Sequence, residues 1–312
     1  MKESPSLIFD RTGEVRDGFF VVGWSHNPLY LLKGKTPILF DGGLALLGKV
    51  YREAITSVLN GDSPRVVFIT HVHFDHCGAV SYLKKAFPGL EAAASQKAKD
   101  ILKRPNAIKL IRKLSESAEQ VLSEFGEESL CREPFDPFEV DRVVQDGDVV
   151  ELEKGLTVQV LSTPGHTWDF MSYYVPEKRI LVASESAGCA LSSGYISSDS
   201  LADFGVYLNS LKRLASLDAR ILCQGHRYVY VDEDVGAFFE RSLQTALEFE
   251  AMVEEYWVKE NGDLRRVLQK IKETEYDPLP MPKQSEPAFV INLEARIKSV
   301  LNHLGLEKGS SL

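Results

Sequence analysis

A chain of 312 residues with 44% hydrophobic and 26% charged residues has ordinary globular composition, enough for one large domain or a core domain with an appendage. A net charge of −9, with no Lys/Arg-rich run at either end, argues against a grip on nucleic-acid phosphates. The opening MKESPSLIFDRTGE lacks the apolar core of a secretory signal, and no apolar run approaches the roughly 20 residues that span a bilayer. A cytoplasmic, soluble protein without a membrane partner is expected. Four scattered cysteines (Cys77, Cys131, Cys189, Cys223) form no CxxC and are expected to be reduced thiols.

In chain order, GFFVVGWSHNPLYLLKGKTPILFDGG (18–43) alternates short β-rich pieces with turn residues, which predicts an antiparallel meander. A helix follows, with Leu44, Leu47, Val50, Ile55, Val58 and Leu59 in an amphipathic pattern. The β-branched run RVVFIT (65–70) predicts a strand buried on both faces. AVSYLKKAF reads as a helix and LEAAAS as a strand. Residues 96–130 are helical with a break at RPNA (104–107), and the loop CREPFDP closes them. Strand signals return over 143–163, SYYV, RILVAS and ARILCQ. After Val231 the chain turns helical over 233–272, with a break at Asn261-Gly262. A linker, YDPLPMPK, and a last helix over 285–304 complete it. The predicted organisation is a layered α/β (α+β) body over 1–231, with a helical insert at about 96–130, and a helical extension over 232–312.

The strand at 65–70 runs into ITHVHFDHCG, where His71, His73, Asp75 and His76 fall within six positions, three of the seven histidines in the chain. In an extended segment i and i+2 project to one side, so His71 and His73 can converge on one metal while Asp75 and His76 turn toward a second. Three imidazoles so close would repel when protonated and gain little from packing. Imidazole and carboxylate donors suit zinc, and also iron or manganese. Three later strand ends carry a polar group after an apolar run: His166 in LSTPGHTWD, Glu185 in ILVASESAG and His226 in ILCQGHRY. His26 and His303 stand outside this set and read as structural residues, His26 with a further option of lining an entrance.

HxHxDH, a TPGHT-type turn, an acid after an apolar strand and a late GH together resemble the metallo-β-lactamase superfamily over about residues 17–231. That resemblance implies an αββα sandwich holding two divalent metal ions along its edge. It assigns one ion to His71, His73 and His166 and the other to Asp75, His76 and His226, with Glu185 bridging. The family usually has Gly-Asp where this chain has Ser184-Glu185. The longer acid keeps the charge but would need a shifted backbone or a single-oxygen contact; Asp169 is a conceivable substitute.

Such a site ionises a water shared by two cations about 3.5–4 Å apart, so no side-chain nucleophile is required and no G-x-S-x-G elbow is present. Asp75 is the candidate catalytic group, orienting the nucleophile or returning a proton. Cys77, Cys189 and Cys223 read as packing residues. Within the superfamily, the acidic surface and helical tail favour a thioesterase or esterase acting on a small acyl substrate, an acyl-CoA or acyl-glutathione for example. The insert and extension resemble the branch containing the quinolone-signal response thioesterase. Phe74, Trp168, Phe170, Tyr195 and Phe204 are candidates for the pocket lining, with core packing as the alternative. Arg227 and Lys259 are possible counterparts of glyoxalase II's basic residues. A lactonase or phosphodiesterase of the same fold is the alternative chemistry. A non-catalytic interaction protein with a vestigial site is the alternative class, with Phe238, Phe239, Leu243, Leu247 and Met252 as a homodimer face.

Overall fold

The meander opens a seven-stranded sheet: Gly13–Arg16, Phe19–Trp24, Asn27–Leu32, Ile38–Phe40, Val66–Phe68, Glu91–Ser95 and Arg142–Val144, in that spatial order. The first four strands pair antiparallel, and from Ile38–Phe40 onward the pairing is parallel. A second seven-stranded sheet runs Leu7–Ile8, Tyr228–Val231, Ile221–Cys223, Ile180–Val182, Met171–Val175, Leu156–Ser162 and Val149–Glu153. This computed structural model describes residues 7–8, 12–124, 134–191, 194–279, 283–284 and 286–306. Cys131, the start of the CREPFDP loop and the middle of the YDPLPMPK linker lie outside them.

The chain divides into two compact units. The first comprises residues 1–162, 169–184 and 218–235 and contains both large sheets. Its sheets face each other across Phe19, Tyr30, Phe40, Phe68, Val158, Tyr173, Val182 and Ile221, all buried. The alternating burial of Leu156–Ser162 shows the one-sided strand period that puts apolar residues into this seam. On its other face the first sheet is covered by the helices Gly48–Leu59 and Val80–Ala86, through Tyr51, Ile55, Val80 and Leu83. The insert forms the helices Gln96–Ile101 and Pro105–Glu124, split at the expected break. Ser95 caps the first by accepting from the Ala98 amide.

The second unit comprises residues 163–168, 185–217 and 236–312. The sequence boundary at 231/232 lies close to the last crossing between units at 235/236, but two earlier segments also fold with the C-terminal helices. One of them forms the helix Phe204–Ala215, which the sequence reading passed over. Its signals were present: Asp203 accepts from the Val206 amide as N-cap, and Phe204, Tyr207, Leu208, Leu211 and Leu214 repeat at helical spacing and are buried. That helix and Leu264–Glu275 both pack on Glu286–His303. Phe238 and Phe239, offered as a dimer face, are buried within the chain, whereas Leu247 is 42% exposed. No helix among the described residues is long and apolar enough to cross a membrane.

Candidate metal centre

Strand ends place the histidine loop, Asp41 and His226 in the first unit. Parallel Ile38–Phe40 and Val66–Phe68 finish in register, Phe40 beside Phe68. Asp41 thereby leaves the first strand next to the loop that leaves the second, and its amide donates to the Phe68 carbonyl at 2.8 Å. In the other sheet, parallel Ile180–Val182 and Ile221–Cys223 also end together, Val182 beside Cys223. Two buried tyrosines from the seam tie down the exits: Tyr173 Oη donates to the Ile69 carbonyl at 2.7 Å, and Tyr30 Oη to the Gln224 carbonyl at 2.5 Å.

The histidine loop then packs on itself. His71 and His73 have ring centroids 4.4 Å apart, as do His71 and His76, and His226 lies 5.4 Å from His76. Asp75 Oδ2 is 3.7 Å from His76 Nε2 and 3.5 Å from His226 Nε2. The ligand atoms of Asp75, His76 and His226 all lie within 4.8 Å of one another, a spacing that one cation can span. His71 and His76 are buried, and Asp75 keeps 20% of its side chain exposed.

What turns these rings toward a metal is the partner on each Nδ1. His76 Nδ1 is 2.9 Å from Asp41 Oδ2, and an ionised carboxylate only accepts, so the proton sits on Nδ1. His226 Nδ1 is 3.1 Å from the His26 carbonyl, which also only accepts. Thr70 Oγ1 donates its single proton to Asp41 at 2.8 Å, so it accepts from His71 Nδ1 at 3.0 Å. In each ring the lone pair is therefore left on Nε2. This is how metal-binding imidazoles are oriented, by an outer acceptor that fixes the tautomer. The donor set fits divalent zinc, iron or manganese.

Asp41, Thr70 and the His26 carbonyl were missed by sequence reasoning. Asp41 had the same signal as the other candidates, a polar group directly after an apolar strand, in ILFDGG. His26 takes part through its carbonyl; its ring lies 4.8 Å from that of Trp24. Asp169, considered as a substitute bridge, accepts from the Val72 amide at 3.0 Å and its carbonyl accepts from Ser95 Oγ at 2.9 Å. It braces the histidine loop.

His166 and Glu185 belong to the second unit. His166 follows Gly165, whose φ of 129° and whose approach to Tyr207 leave no room for a side chain. Its Nδ1 lies 2.6 Å from the Asp199 carbonyl, so it too donates from Nδ1. Glu185 is buried in the short turn Ser184–Ala187. Ser184 before it adopts φ 49°, a left-handed conformation that glycine reaches at least cost. His303 packs its ring against Phe204 at 5.5 Å and faces Glu250.

Among the pocket candidates, Phe170 and Phe204 are corrected: both are fully buried and offer no surface to a substrate. Phe170 stacks on His71 at 4.6 Å, a packing role. Phe74 packs against the helix-side core and Tyr195 Oη donates to Glu275 at 2.8 Å, while Trp168 is 49% exposed. Lys259 is paired with Glu255, and the Arg227 guanidinium lies over Tyr228. Cys77 and Cys223 are fully buried, and burial pushes both thiols well above the ordinary range, which keeps them protonated and unreactive. Alkylation of the native protein at pH 8 should therefore leave both unmodified by peptide mapping, and denaturation should expose them. Native-state labelling of Cys77 would contradict the packing role.

The family model described as the metallo-beta-lactamase superfamily matches residues 22–226. The chain belongs to that superfamily. Solved metallo-β-lactamase structures share its fold: a family protein from Thermus thermophilus superposes with a TM-score of 0.61 at 22% identity, covering 89% of each chain. An archaeal superfamily protein from Sulfolobus tokodaii gives 0.57 at 19% identity, covering 89% of this chain and 93% of that one. Among curated relatives, a hydroxyacylglutathione hydrolase of Bartonella tribocorum is 30% identical over 52% of this chain and 48% of its own length. An atrochrysone carboxyl ACP thioesterase of Aspergillus fumigatus is 24% identical over 66% of this chain and 49% of its own. The chain thus spans about half the length of these two relatives. The superfamily is largely hydrolytic and usually binds divalent metals.

Proposed function

We propose that this superfamily hydrolase cleaves a thioester or ester of a small acyl substrate with two divalent ions, zinc foremost and iron or manganese as alternatives. The observation that carries the metal reading is the fixing of Nδ1–H on His71, His76 and His226, which leaves each lone pair on Nε2, with Asp75 beside His76 and His226. His73 lies on the loop of His71 and His76, and the superfamily motif adds His166 and Glu185 as the remaining ligands of this proposal. Divalent ions held by these residues would supply Lewis-acid chemistry, lowering the pKa of a bound water toward neutrality and polarising the carbonyl under attack.

The chain's own groups supply the rest. Asp75 faces His76 and His226 through Oδ2, so its other oxygen can take the proton of the attacking water and return it to the leaving group. Asp41 and the His26 carbonyl hold the Nδ1 protons of His76 and His226, which keeps each ring's Nε2 lone pair turned to the metal side. A thiolate leaving group needs little help from a general acid, which suits a site whose one partly exposed acid is Asp75. Two relatives named for thioester cleavage favour this substrate class over lactones or phosphodiesters.

Protein purified without added metal should carry close to two divalent ions per chain by elemental analysis. It should hydrolyse an acyl-CoA or acyl-glutathione faster than a lactone or a phosphodiester, and lose that activity on chelation and regain it with zinc. Metal-free protein that hydrolyses these esters equally well would sink the reading.

A further inference from the structure

We propose that Arg296, on the C-terminal helix Glu286–His303, is a positioning residue for His166, acting through the backbone of Ser198 and Asp199. The inference rests on the reading of His166 as a metal ligand. His166 Nδ1 is held by the Asp199 carbonyl at 2.6 Å, shorter than the Nδ1 contacts of His76, His71 and His226 at 2.9, 3.0 and 3.1 Å. That carbonyl belongs to a segment with little regular structure of its own, following the two-residue strand Ile196–Ser197. On its C-terminal side the segment is braced by the Leu201 amide, which donates to the same carbonyl at 3.0 Å, and by the Ala202 and Asp203 amides, which donate to the Gly165 carbonyl. Its N-terminal side is left to a brace from elsewhere.

Arg296 meets that need. Its Nε donates to the Ser198 carbonyl at 2.9 Å, one peptide before Asp199. Nη1 and Nη2 grip the two oxygens of Glu275, at 2.8 and 3.3 Å, and Tyr195 Oη donates to the same carboxylate at 2.8 Å. The guanidinium lies 4.0 Å over the Phe249 ring. Arg296 and Glu275 side chains are only 3% and 5% exposed. A charged fork with its two-oxygen partner is a stiff, directional clamp, and burial spares it from competition with water. Ser197 Oγ donates to Asp199 Oδ1 at 2.9 Å, fixing the side-chain end of the same residue. Three helices, contributing Phe249, Glu275 and Arg296, thus converge on the peptide that sets the His166 tautomer. This gives the C-terminal helices a task in the chemistry that the match over residues 22–226 does not cover.

Removing Arg296 alone would strand the buried Glu275 charge, so the test uses Arg296→Met combined with Glu275→Leu, which removes both charges and keeps volume. In the metal-free protein, imidazole nitrogen NMR should show His166 losing its fixed Nδ1–H form in the folded double variant. Zinc affinity, measured by chelator competition, should fall about 10–100-fold, the usual cost of an outer partner. His166→Ala serves as the control for the ligand reading. If it binds zinc as the parent does, the ligand reading fails, while the NMR result still decides whether Arg296 positions the ring. A folded double variant with an unchanged His166 tautomer overturns the proposal.

Discussion

Alanine at position 76 is expected to strip divalent metal from the Asp75–His76–His226 group and lower hydrolysis by more than about 100-fold, beyond what loss of an outer partner costs. The physical reason is that His76 works at both ends. Its Nε2 lies with Asp75 and His226 in one ligand cluster, and its Nδ1 is anchored on Asp41 at 2.9 Å. Without it that group retains one carboxylate and one imidazole besides the proposed bridge Glu185, and it loses the ring whose tautomer Asp41 fixes. The fold should survive. Asp41 keeps the Thr70 amide and hydroxyl as donors, both at 2.8 Å, so the loss amounts to one hydrogen bond and a small void, about 1–3 kcal/mol. Elemental analysis, steady-state kinetics and a thermal melt measure the three quantities. Full metal content with undiminished turnover would refute the site.

Asp41→Asn makes the subtler change with the second-largest effect. Asp41 accepts from the Thr70 amide and hydroxyl and from His76 Nδ1, spread over its two oxygens. An amide has one accepting oxygen and one NH2 group. The oxygen stays with the Thr70 amide, whose donor is buried and cannot go unmet. The NH2 then faces His76 Nδ1, which must turn from donor to acceptor, and the proton moves to Nε2. The lone pair needed for a ligand is lost although no ligand has been replaced. Zinc affinity should fall about 10–100-fold with little change in melting temperature of the metal-free protein. Nitrogen NMR should report the switched tautomer. Asp41→Asn protein that keeps parental zinc affinity would show that the Asp41 contact does not set the His76 tautomer.

Much of this is legible in the sequence alone. Val66–Phe68 was readable because three β-branched and aromatic residues in a row leave no polar face, which only a strand covered on both sides tolerates. The breaks at 104–107 and at Asn261-Gly262 were readable because Pro and Gly act locally. The helix Phe204–Ala215 was passed over although its cap and period were in plain view. Asp41 was harder: an aspartate before two glycines reads first as a turn, and nothing local says that it faces a histidine thirty-five positions on.

Local chemistry alone determined the donor cluster at 71–76, the apolar strands that carry polar groups at their ends, and the long C-terminal helices, because each depends on residues within a few positions of one another. Tertiary structure alone decided which groups hold the imidazoles, since Asp41, the His26 carbonyl and Asp199 reach their partners only through strand register and chain reversal. It also decided that residues 163–168 and 185–217 fold with the C-terminal helices, and that Phe170 and Phe204 are spent in packing. Burial and tautomer are set by neighbours distant in the chain, and a one-dimensional pattern carries no record of them.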